Sequence, residues 1–337
     1  MNLFKTELRR ILRRRLTLIF GILSAAGLLT LVGVMGAISS KGPSEGDLAE
    51  AQIWADEANE TNPEFNDCVR DEDHFETEDY VWVREDPAYE DLTHQERCEY
   101  FVGGFTAEDY LYVYTFNFAN EGQYTLVGVV IVVGLIMMMV ASSAIGAEWS
   151  SGGMSNLMVW HPNRLKVWGV KLGAALAICA AAVVAFSLLA FGLLYLVAVL
   201  RGEVGDMNSA WWENSTERWS RTGLLALGMT ALGASLAMLG RHTAIASGVI
   251  AGYLIVGDLI VSLVSMALPM DYPERLSLYT WVSAWISGRV ELYNWNAEEF
   301  VPDVMVITST DAGLLLGGVV LFFALLATWS FRRRDAA

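Results

Sequence analysis

The sequence predicts an all-α polytopic membrane protein with six transmembrane helices, an N-terminal interfacial amphipathic helix and an acidic extracytoplasmic domain between the first and second spans. Three observations predict it. The chain of 337 residues is 54% apolar and 18% charged with a mean hydropathy of +0.39, more apolar than a water-soluble domain of this size. Six apolar runs are long enough for a hydrocarbon core, which takes about 20 helical residues at roughly 1.5 Å each. The charges are also divided unequally between the segments that join those runs.

The chain opens on a basic segment, 1–15. Helical spacing sets Phe4, Leu8, Ile11 and Leu12 on one face and Lys5, Arg9, Arg10, Arg13 and Arg14 on the rest, suited to lying along anionic lipid headgroups. A simple orienting charge cluster is the alternative. The first span, 16–38, is too long for a secretory h-region and reads as a retained helix. The remaining spans are 124–147, 172–200, 222–239, 244–268 and 312–331. The fourth carries Gly223, Gly228 and Gly233 and is the shortest, yet it holds no charge, and without it the two chain ends fall on opposite sides.

Orientation follows from the basic residues, which are retained on the cytoplasmic side during insertion. Thirteen of the 22 Lys and Arg, with three of the 38 acids, fall in 1–15, 148–171, 240–243 and 332–337. Those segments are therefore placed inside, and both termini are cytoplasmic. The outer segments are 39–123, 201–221 and 269–311. The net charge of −16 thus belongs mostly to one compartment, and nucleic-acid binding has no basic surface to rest on.

Segment 39–123 holds 23 acids against Lys41, Arg70, Arg84 and Arg97, but its many aromatics exceed those of a disordered acidic tail and predict a small folded domain. Cys68 and Cys98 both lie in it, and an oxidising exterior allows them to pair. Two free thiols are the alternative. The run Asp71-Glu72-Asp73-His74 lacks the glycine and distal glutamate of a calcium loop and reads as a solvated acidic surface; no metal site is predicted. The stretch 110–118, YLYVYTFNF, fits either a strand or an aromatic girdle at the outer headgroups. In 269–311, residues 276–286 form a helix too short to span, interfacial or re-entrant. The sequons Asn59-Glu-Thr61 and Asn214-Ser-Thr216 fall on the outer side and matter only in a glycosylating cell.

No GxxxxGK[ST] loop exists, and the dipeptide Gly-Lys is absent, so the usual phosphate cradle is not encoded and no enzymatic or cofactor role is expected of this chain. No sequence pattern gathers Ser, His and acid residues for a hydrolase. The informative segment is Gly146-Ala-Glu-Trp-Ser-Ser-Gly-Gly-Met-Ser-Asn-Leu-Met-Val-Trp-His-Pro-Asn-Arg-Leu-Lys-Val-Trp-Gly-Val-Lys171. A short apolar ridge of Met154, Leu157, Met158 and Trp160 is followed by Pro162, which ends a helix. The alternative is a hairpin resting on headgroups.

This segment resembles the signature of ABC type 2 permeases, the membrane subunits of ABC exporters. Glu148 stands for the acid that ends a helix in that family, Gly152 or Gly153 for its glycine, Leu157 for its leucine-rich short helix, Pro162 with Arg164 for its Pro-x-Arg element, and Lys171 for the lysine opening the third span. Met154 and His161 depart from the pattern, which usually has Thr and a small residue there. The basic start, the long outer loop and the basic end also resemble the family. The resemblance implies a coupling helix that docks on a separate cytoplasmic ABC ATPase, which binds ATP and Mg. It also implies a second permease copy, alternating access for export and a bacterial plasma membrane.

Asp258 is the one ionisable residue deep in a predicted span, where a charge is costly unless paired or hydrated. It is a candidate for a translocation path; a hydrogen bond to a neighbouring helix is the alternative. Gly248 with Gly252 and Gly313 with Gly317 are small-xxx-small pairs that permit close helix packing. Two other functions fit the layout: a sensor or scaffold using the acidic domain, and an ion-coupled transporter using Asp258.

Overall fold

The computed structural model describes residues 3–86, 89–90, 92–268, 270–294 and 303–333. The chain divides into a helical unit (1–34, 117–200 and 204–337) and a smaller one (35–116 with 201–203).

In the helical unit, α1 (Leu3–Leu12) precedes α2 (Arg15–Ile38). After the smaller unit come α5 (Gln123–Ser150), α6 (Gly153–Trp160), α7 (Arg164–Arg201), α8 (Ser209–Gly240) and α9 (Thr243–Ala267), with α3 and α4 in the smaller unit described below. Then follow α10 (Leu278–Ser287), strands β1 (Arg289–Asn294) and β2 (Asp303–Thr308), and α11 (Ser309–Arg333). Among the described residues, five helices are long and apolar enough to cross a membrane: α2, α5 with its preceding turn, α7, α8 and α11. The expected span 244–268 is helical over Thr243–Ala267; several of its side chains lie outside the described residues, leaving Ile255–Ala267 as a shorter apolar helix.

The core is a seam of small residues between α5 and α8, where backbones approach closely enough for dispersion to accumulate. Ala141, Ala226, Ala234 and Ala237 are buried there. A Cβ at Gly233 would sit 2.6 Å from the Met138 carbonyl oxygen, and one at Gly134 would sit 2.9 Å from the Ala226 Cβ. The glycines that made the fourth span look weak include the one that lets it pack. Among the described residues, the member of the two small-xxx-small pairs that stands at a close contact is Gly313, and its neighbour is the Trp285 ring of α10.

Two segments differ from expectation. Helix α8 begins at Ser209, well before the predicted start of its apolar run, because Asn208 caps it by accepting from the Trp211 amide at 2.9 Å. Its first turns form a cluster of Trp211, Trp212 and Trp219 around Phe191, and Phe118 meets Phe191, Tyr195 and Trp211. Of the two readings of 110–118 the strand does not form: residues 111–116 have no regular structure, and Phe118 joins the aromatic cluster. After α10, β1 and β2 pair antiparallel from Arg289↔Thr308 to Asn294↔Asp303, a hairpin the periodicity did not announce.

The smaller unit contains α3 (Glu45–Thr61) and α4 (Pro63–Arg70), followed by short helical turns. Ser44, Asn62 and Thr93 cap helix starts with their side chains. Its core is Phe65, Phe75 and Val83 with the Cys68–Cys98 disulfide, whose Cα atoms are 5.8 Å apart. Rings of Tyr80, Tyr89 and Phe101 stand edge-on to Phe75. Arg97 stacks over Tyr89 at 3.9 Å, and Arg84 donates to the Phe75 carbonyl, so both arginines serve the interior.

Candidate functional site

The connection between α5 and α7 folds back on the helix ends. Gly152, at φ 71, takes the left-handed conformation that reverses the chain into α6. The His161 amide closes α6 on the Leu157 carbonyl at 2.9 Å; Pro162 offers no amide to continue it. Asn163 then caps α7, accepting from the Lys166 amide at 3.1 Å.

The expected ridge on α6 splits in two. Met154 and Met158, four residues apart, share a face and are buried in the core of the helical unit, with Leu157 half-buried beside them. Val159 and Trp160 point the other way and remain 79% and 77% exposed. The surface open to a partner is therefore the Val159–Trp160 end, not the methionine stripe. Beside it lies a cleft of about 360 Å³ lined by Arg10, Glu148, Ser151, Gly153, Asn156, Leu157 and Trp160.

At the floor of this region four charges from three helices meet. Lys171 of α7 pairs with Glu148 of α5 and, at 3.0 Å, with Glu7 of α1. Arg10 pairs with Glu148 at 2.9 Å and with Glu7 at 3.3 Å. Glu7, Glu148 and Lys171 are 2%, 7% and 4% exposed. Two acids and two bases leave the cluster neutral, which is how charges persist where water is scarce. Burial works against the Arg10 charge, but its hydrogen bond to Glu148 and the charges of Glu7 and Glu148 outweigh that and hold its pKa above the ordinary value.

The resemblance singled out Glu148 and Lys171 without saying that they touch. Glu7 was missed. Its signal was an acid on the apolar side of a basic helix, one residue from Leu8 and four from Ile11. Of the residues assigned to headgroups, Lys5, Arg9 and Arg13 are exposed, whereas Arg10 joins the cluster and Arg14 donates to the carbonyls of Ser143 and Ala144 at 2.9 and 3.1 Å. Arg164 donates to the Phe331 and Arg332 carbonyls at 3.4 and 3.3 Å, at the negative end of α11. Trp168 reaches Thr328 at 3.0 Å.

Asp258 lies apart from this cluster, accepting from Ser277 Oγ at 2.6 Å. Among the described residues no group of three His, Cys, Asp or Glu side chains is arranged to hold a metal.

An apolar multi-helix body with a short helix folded against its helix ends is the architecture of a polytopic membrane protein. The chain belongs to the ABC-2 family transporter proteins, whose family model matches residues 1–336. It is a multi-pass membrane protein of a class that lacks its own ATPase domain and works with a partner ABC ATPase. No curated protein and no solved structure matches it.

Proposed function

We propose that this chain is the permease subunit of an ATP-driven bacterial exporter, crossing the plasma membrane six times with both termini in the cytoplasm. Helix α9, added to the five long apolar helices, gives the even number of crossings that brings both termini to one side. The charge asymmetry makes that side the cytoplasm. Helix α1 lies along the inner headgroups through Lys5, Arg9 and Arg13.

The observation that carries this reading is the cluster of Glu7, Arg10, Glu148 and Lys171. A partner ATPase, which supplies ATP and Mg, docks on Val159 and Trp160 and into the adjoining cleft. Its closure displaces α6. Because Glu148 lies in the last turn of α5 and Lys171 near the start of α7, and Glu7 and Arg10 bind both to α1, the displacement reaches three helices at once. A second permease copy completes the transporter, and the helices alternate between inward and outward access.

The test uses the whole chain purified from its native host with whatever ATPase accompanies it. Val159→Glu with Trp160→Glu alters exposed side chains only, so the permease stays folded while the ATPase is lost from the preparation. An unchanged ATPase partnership in that variant, or a wild-type chain that brings down no ABC ATPase, removes the proposal.

A further inference from the structure

Helix α10 is attached to its neighbours by two different kinds of contact. Toward α8 and α11 it is packed: Trp285 donates to the Arg221 carbonyl at 2.7 Å, and its ring fills the space a side chain at Gly313 would need. Ala284 and Ile286 are buried on the same helix. Toward α9 it is held by hydrogen bonds. Ser277, the N-cap of α10, accepts from the Tyr279 amide and donates its hydroxyl to Asp258 at 2.6 Å. The Leu278 amide donates to the Tyr253 hydroxyl at 2.8 Å.

Tyr253 and Asp258 are themselves exposed and not enclosed in a core, so neither bond is locked by surrounding packing. Gly257 belongs to the same device. The Tyr253 ring lies along α9 over it, 2.7 Å from where a Cβ would stand. A carboxylate at the start of α10 also meets the positive end of that helix, which favours the closed arrangement. Packed interfaces move as blocks, whereas exchangeable polar contacts are where blocks separate.

We infer that Asp258 is a positioning residue and that Asp258 and Tyr253 form a latch, closing α9 onto the N-terminus of α10 at rest and releasing it once in each transport cycle. This rests on the permease reading for the cycle, though not for the resting attachment. It replaces a pore-lining role for Asp258 with a mechanical one.

The direct test introduces Asp258→Cys with Ser277→Cys in the complete transporter and joins them with a short, reducible bis-methanethiosulfonate linker. Linking is expected to lower ATP turnover at least tenfold, and reductant to restore it in the same preparation. Full turnover by the linked protein overturns the latch. A second measurement needs no variant: amide exchange at Leu278 and Tyr279 is slow at rest and accelerates when ATP is supplied. Equal exchange in both conditions also overturns it. At rest, Tyr253→Phe speeds Leu278 exchange about tenfold by removing its acceptor, and Ser277→Thr keeps protection that Ser277→Ala loses. If the wild-type complex has no ATP turnover, the permease reading fails, and the resting exchange still decides whether α9 holds α10.

Discussion

The charge cluster at α1 and the core of the acidic domain each join segments distant in the chain, yet they are secured in opposite ways. Glu7, Glu148, Arg10 and Lys171 draw three helices together with ion pairs that form and break without chemistry. The acidic domain closes an internal loop with a covalent bond between Cys68 and Cys98 beside Phe75. Reversible attachment suits the coupling role proposed for that region; covalent closure suits a small domain with a thin core.

The strongest way to break this contrast is to remove one member of the cluster. Lys171→Met leaves Glu7 and Glu148 short of a cation where they are buried, and should cost about 3–5 kcal/mol of stability, seen as a lower unfolding temperature in detergent. Combining it with Glu7→Gln should recover part of that loss. A double variant as unstable as the sum of its parts contradicts the pairing.

In the acidic domain the corresponding change is Cys68→Ser with Cys98→Ser. Opening a loop of 30 residues should cost about 3–4 kcal/mol in the chain-entropy account, read as faster proteolysis within 39–123. The same treatment should leave cleavage around Glu148 unchanged.

The smallest effect concerns pH. The Ser44 amide and hydroxyl hold Asp47 below its ordinary pKa, the Thr93 hydroxyl and amide do the same for Glu96, and the Thr106 amide and hydroxyl for Asp109. A depressed folded pKa contributes stability that is present above the unfolded value, about 4, and disappears as pH falls through the folded value. The protection factors of amides in the first turn of α3 should therefore fall on acidification below about pH 4, and Asp47→Asn should abolish most of that pH dependence.

Much of this arrangement was legible in the chain. Apolar runs located the long helices because a lipid-crossing segment tolerates so few charges. Pro162 and the glycines before Met154 marked both ends of α6, since each acts through local backbone geometry. Cys68 and Cys98 were placed in one oxidising segment, and they are bonded. Meetings between distant residues were not legible. Glu7 and Lys171 lie 164 positions apart, and only packing of α1 against α5 and α7 brings them together. The early part of α8 was hidden by its charges, and β1 and β2 by the separation of their partners. Which side of α6 its methionines would take was not legible, because an isolated apolar octamer does not say which side will meet the core.

Asn59 carries a consequence for how the protein is made. Its side-chain amide donates to the Phe105 carbonyl at 2.7 Å and accepts from the Phe105 amide at 2.8 Å, joining α3 to a segment 46 residues away. A sugar on that nitrogen takes one of its hydrogens and sets bulk against Phe105. With the acidic domain on the outer side, as proposed, oligosaccharide transfer to the Asn59 sequon in a eukaryotic secretory host competes with closure of that domain, and replacing Thr61 with Ala keeps the Asn59 clasp while withholding the acceptor signal.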